Sequence, residues 1–179
     1  MLYTPIEGTF YMLRFLSLCS LLLLSACASQ APLPPQTPHM KLPQQLHVQR
    51  SEAGQRQDWL LQVQKEHHDL RWSLTDTAGV ELARQKLAKQ KWKADGMSPP
   101  NPEARELFSA LLFALTTIDQ VPFDYPGVQL RAHGRSLDER WTVDYATEGF
   151  FRITLQDGVQ YLVSPLEGKA TIVKQPVAR

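Results

Sequence analysis

The chain has 179 residues, with 19 Lys or Arg against 18 Asp or Glu, a net charge of +1. That balance argues against a dedicated nucleic-acid binder, which carries a clear basic excess. Its two cysteines, Cys19 and Cys27, both lie near the N-terminus, which excludes a disulfide framework or a cysteine-ligated metal in the rest of the chain.

Met12-Leu13-Arg14 opens a charged n-region, and Phe15 to Leu24 is an apolar run about half the roughly 20 residues that span a bilayer. Leu24-Ser25-Ala26-Cys27 has the form of a bacterial lipobox: an aliphatic residue, two small ones, then cysteine. Residues 1–26 are therefore expected to be a cleaved signal peptide, with Met12 as a rival start. Cys27 is the expected lipid-attachment residue, a diacylglyceryl cysteine with a fatty acid such as palmitate on its freed amine. Stable anchoring takes two or more chains, at about 0.8 kcal/mol per buried CH₂. The alternative is an ordinary signal peptide in which the cysteine falls by chance. Ala28 follows the cysteine, not aspartate, which favours the periplasmic face of the outer membrane.

Pro32, Pro34, Pro35 and Pro38 stand among polar residues. Residues 27–41 thus read as an anchor plus a proline-rich tether, extended at ~3.1 Å per residue and reaching up to ~40 Å. Residues 42–179 read as one folded domain.

From Leu42 the apolar residues recur with period two, as in half-buried strands. Leu46 and Val48 precede a turn at Glu52-Ala53-Gly54. Trp59, Leu61 and Val63 form the next inward row, then Leu70, Trp72 and Leu74 after a turn at Glu66-His67-His68. Asp76-Thr77-Ala78-Gly79 turns the chain into Val80 and Leu82. Arg84, Lys86, Lys89, Lys91 and Lys93 follow, read either as a patch for acidic headgroups or as a solvated strand whose lysines block edge pairing.

Asn101 as N-cap, Pro102 at the first turn and Glu103 at the positive end of the dipole start a helix that runs to Leu115 or Thr117. Ala104, Leu107, Phe108, Leu111, Leu112 and Leu115 form its apolar stripe, with Glu106 and Ser109 opposite. Phe113 falls on the polar side, covered by a loop or open to an external partner. A loop, Val121 to Gly127, leads to strands at Val128–Ala132, then Trp141, Val143 and Tyr145, then Phe151 and Ile153. Asp157-Gly158 marks a tight hairpin into Val159, Tyr161 and Val163. A last strand is expected at Ala170–Lys174.

The pattern gives a mainly β (α+β) fold: a curved antiparallel sheet forming an unclosed half β-barrel with a helical lid. One amphipathic helix hides only part of so large an apolar face. The surplus wall predicts a cavity for hydrophobic cargo, lined by Trp59, Leu61, Val63, Leu70, Trp72, Leu74, Leu107, Phe108, Leu111, Leu115, Trp141, Val143, Tyr145, Phe151, Ile153 and Tyr161. The alternative for each is plain core.

Lipobox, proline-rich tether, strands on both sides of one helix, and Pro99-Pro100-Asn101-Pro102 leading into Leu107-Phe108-x-x-Leu111-Leu112 together resemble a family of bacterial outer-membrane lipoproteins related in pattern to LolB, the outer-membrane receptor for lipoproteins. The resemblance spans the expected mature chain. It implies a LolA/LolB-like lipid-binding fold, an acyl chain, lipid or lipoprotein as cargo, and a periplasmic carrier protein as its donor. The turn Asp76–Gly79 lacks the protruding leucine that LolB carries between early strands.

No Gly-x-Ser-x-Gly, His-Glu-x-x-His or phosphate-binding glycine loop occurs. His67 and His68 are neighbours that face apart when extended, His47 and His133 are isolated, and Asp138-Glu139 reads as a solvated turn. The expectation is a non-enzyme without metal or cofactor. A non-catalytic accessory subunit of an envelope complex stands beside the carrier reading.

Overall fold

A computed structural model describes residues 30–96, 99, 101–146 and 149–166. The leader with its lipobox, Cys27, and the expected strand at Ala170–Lys174 lie outside the described residues.

Two five-stranded meanders flank one helix. The first is β1 (Gln44–Glu52), β2 (Gln55–Glu66), β3 (Asp69–Asp76), β4 (Glu81–Ala88) and β5 (Lys91–Ala94). Then come α1 (Pro102–Leu115) and the single turn α2 (Val121–Asp124). The second meander is β6 (Val128–Arg131), β7 (Gly134–Leu137), β8 (Trp141–Tyr145), β9 (Phe151–Leu155) and β10 (Gln160–Pro165). All ten strands pair antiparallel in one sheet, ordered β5-β4-β3-β2-β1-β10-β9-β8-β7-β6. The meanders meet at one seam, where β1 pairs β10 from Leu46 opposite Pro165 to Ser51 opposite Gln160. β5 and β6 are left as unpaired edges, so the sheet is not closed.

The turns follow the local chemistry. Asp157-Gly158 closes the β9–β10 hairpin, with Gly158 at φ 87° and the Asp157 side chain accepting from the Val159 N–H. Asp76 Oδ1 accepts from the Ala78 and Val80 N–H groups and fixes the β3–β4 turn. Gly134 opens β7 because a Cβ there would stand 2.4 Å from the Val143 carbonyl oxygen.

The Asn101 side chain caps α1 by accepting from the Ala104 N–H. Every residue from Leu107 to Ala114 is buried, so the helix is covered on all sides and not along one stripe. Its contacts come from both meanders: Trp72 and Trp92 reach Phe108, and Trp141 reaches Phe113. The sheet therefore wraps the helix, which occupies the interior. Two residues placed on the polar side change environment for this reason. Ser109 is fully buried, accepting from Trp92 Nε1 and donating to the Arg105 carbonyl. Phe113 is fully buried against Tyr125 from the following loop.

The proline-rich segment is not a free spacer over its whole length. Ala31, Leu33, Met40 and Leu42 pack against the core, and Pro34 and Pro38 are buried. The Pro35 carbonyl accepts from Gln90 in the β4–β5 turn, and His39 Nδ1 shares a hydrogen bond with Gln120 Nε2 beyond α1. Apolar side chains spaced among the prolines give this strap a face to bury, which composition alone conceals. Over its described residues the segment therefore does not extend freely.

Candidate ligand site between the sheet and the helix

The residues expected to line a cavity converge on α1. Trp59, Leu61 and Val63 come from β2, Leu70, Trp72 and Leu74 from β3, and Leu107, Phe108, Leu111 and Leu115 from α1. Trp141, Val143 and Tyr145 come from β8, Phe151 and Ile153 from β9, and Tyr161 from β10. They meet in one cluster, but as packed core. Val63, Trp72, Leu107, Phe108, Leu111, Trp141, Val143, Ile153 and Tyr161 have zero exposure. A void able to hold water would leave accessible surface on its walls, so none touches these side chains. The expected central cavity is filled by the helix, because a helix buried all round covers far more sheet than a one-sided lid.

Open space lies at the N-terminal end of α1. A pocket of about 470 Å³ is bounded by Gln57, Asp58, Trp59, Leu74, Asp76, Leu82, Asn101, Glu103 and Ala104, within the range of ~300–1,000 Å³ usual for small-molecule sites. Of the expected wall, Trp59 and Leu74 border it. Its floor is apolar, from Trp59, Leu74, Leu82 and Ala104, and its rim carries the carboxylates of Asp58, Asp76 and Glu103. Asp58 is held by His47 Nε2 at 2.8 Å and Gln49 Nε2 at 3.2 Å. Glu103 accepts from Arg50 and, at 3.3 Å, from the Tyr161 hydroxyl. Arg50 lies over the Trp59 ring at 5.9 Å. Its burial lowers the guanidinium pKa, but hydrogen bonds to Glu52 and Glu103 outweigh that and raise it. Burial raises the Tyr161 hydroxyl above the usual phenol range.

A few polar contacts hold the helix. Glu106 accepts from Arg140 at 2.8 and 2.7 Å and from Trp141 Nε1 at 2.7 Å. At the other end Arg135, 2% exposed, donates to the carbonyls of Thr116 at 2.9 Å and Ala114 at 3.1 Å. Its guanidinium lies 5.5 Å over Phe113 and 5.1 Å over Tyr145. Burial lowers its pKa, but an arginine remains charged, and the negative end of the helix dipole partly compensates. The Tyr145 hydroxyl also donates to Ala114 at 2.7 Å. Sequence reasoning missed Arg135. The available signal was its place in Gly134-Arg135-Ser136-Leu137, alternating with inward Leu137.

Among the described residues no group of three or more His, Cys, Asp or Glu is arranged to hold a metal, and no helix is long and apolar enough to cross a membrane. No protein-family model matches the chain, and no characterised protein matches it at a significant level.

Proposed function

We propose that this is a lipid-anchored, LolB-like lipoprotein of the periplasmic face of the outer membrane, which takes up the acyl chain of a lipid or lipoprotein for transfer to that membrane. The observation that carries the reading is the eight-residue run Leu107–Ala114, apolar but for Ser109, buried inside a sheet that is not closed. The helix occupies the space that an acyl chain would fill, with similar chemistry. Burying Leu107, Phe108, Leu111, Leu112 and Phe113 stabilises the closed state by roughly 7–15 kcal/mol at about 1.5–3 kcal/mol each. An acyl chain of roughly 15 methylenes offers about 12 kcal/mol at about 0.8 each. The two are close enough for exchange, with the open edges allowing the sheet to splay and the pocket at Trp59 and Leu82 receiving the chain first.

The test is native mass spectrometry of a soluble form with Cys27 replaced. Lipid bound at one per chain is expected. Leu82→Glu, at a half-buried pocket position, is expected to reduce lipid occupancy at least tenfold with the fold retained. A charge at Leu111 or Trp72 would not separate binding from folding, since both are fully buried.

The filled interior favours a second reading, an anchored accessory subunit of an envelope complex. A lipid-free protein that crosslinks to an envelope partner in cells would establish that reading and remove the carrier.

A further inference from the structure

We propose that the β4–β5 hairpin, through Lys89, Lys91 and Lys93, is the face on which the domain rests against anionic lipid headgroups of its own membrane. The proposal rests on the reading of Cys27 as the lipid anchor. Ala31 is four residue steps on from Cys27, a reach of at most ~14 Å at ~3.6 Å per residue. Ala31 and Leu33 are packed on the domain, and Pro35 is hydrogen-bonded to Gln90 between Lys89 and Lys91. The described strap thus meets this turn at Pro35, eight residues on from Cys27.

The charges at the turn fit a phosphate-bearing surface. Lys89 and Gln90 hold the turn with φ of 49° and 60°. Lys91 and Lys93 alternate with half-buried Trp92, whose ring packs against Phe108 inside the sheet, so the two lysines face outward. All three lysines are exposed, and none has a carboxylate partner among the described residues. The neighbouring cations differ: Lys86 is paired with Glu66 and Asp95, and Arg84 with Glu81. Glu66 and Asp95 are thus engaged, while Asp69, opposite Glu66 beside the β2–β3 turn, adds one carboxylate at this end. The adjacent β2–β3 turn adds exposed Lys65, His67 and His68 at the same end, since Lys65 pairs with Leu70 and Leu70 with Leu87. Each lysine close to an anionic leaflet strengthens binding about fivefold, within a Debye length of ~8 Å.

The experiment uses the full protein reconstituted into phosphatidylcholine vesicles with and without phosphatidylglycerol. A fluorophore is placed at His68→Cys, beside the hairpin, or at exposed Thr77→Cys, at the opposite end of β3. A headgroup-borne quencher is expected to dim the probe at 68 and not at 77, more strongly with phosphatidylglycerol and less at high salt. The triple variant Lys89→Gln, Lys91→Gln, Lys93→Gln is expected to abolish the phosphatidylglycerol dependence, about a hundredfold in binding. Equal quenching at both positions, or an unchanged triple variant, would overturn the proposal. So would binding of an acidic protein or nucleic acid at the hairpin in place of the vesicles. Intact mass reads acylation of Cys27 separately. If acylation is absent, the anchor reading fails, and flotation of the unanchored chain with the same two vesicle types still decides the role of the lysines.

Discussion

Arg135 shows how one polar residue sets the end of the buried helix. Its two donated bonds satisfy the Ala114 and Thr116 carbonyls where α1 stops. Arg135→Met keeps much of the volume but removes the bond to Thr116 and leaves Ala114 only the Tyr145 hydroxyl, and is expected to lower stability by about 2–3 kcal/mol, read from the urea midpoint. Arg135→Lys should recover part of the loss, because a single ammonium cannot fork to two carbonyls. On the outer face, Asp95 receives Arg71 at 2.6 Å and Lys86 at 3.3 Å. Desolvation raises its carboxyl pKa, but those two partners outweigh this and hold it below the usual 3.8. A depressed folded-state pKa contributes stability that is present above the unfolded value and lost as pH falls through the folded one. Stability should therefore drop below about pH 4, and Asp95→Asn should shrink that drop in urea titrations. Such partnerships were not legible in the sequence. Ser109 reads as a solvent-facing residue until Trp92 Nε1 reaches it, and Arg135 reads as a surface cation until Phe113 and Tyr145 enclose it.

Period-two alternation was legible where large apolar residues carry it, as in Trp59-Leu61-Val63 and Trp141-Val143-Tyr145. It failed at β7, whose inward positions are Arg135 and Leu137. The start of α1 was legible in Asn101 and Pro102 because capping is local chemistry, and the sequence also showed its stripe. That the helix would be covered all round depends on two meanders closing over it, which no window of one element contains. β5 ends the sheet and presents exposed Lys91 and Lys93, so the same lysines proposed to face the headgroups also stand where edge pairing would occur. Replacing both with valine gives an uncharged apolar edge. Concentration-dependent association is then expected by sedimentation velocity, where the parent chain sediments unchanged with concentration.

For the molecule as a whole, the expected cavity and the observed core involve the same side chains and differ in how much sheet one helix covers. The sequence could count the apolar wall but not the curvature that brings both halves onto α1. The strap is a second case: Leu33 and Met40 were visible, but nothing local said they would be buried. The seam between β1 and β10 has a further consequence. Leu46 pairs with Pro165, so the first structural strand waits for the last described one. A chain made from its N-terminus completes β1 to β5 and α1 while the apolar rows of Trp59 and Trp72 still lack half their cover. That one distant pairing closes only after a long loop is ordered, which prolongs exposure of sticky surface. Biogenesis, more than the finished fold, is then the vulnerable stage, and a holdase that shields the nascent first half should raise the yield of native protein.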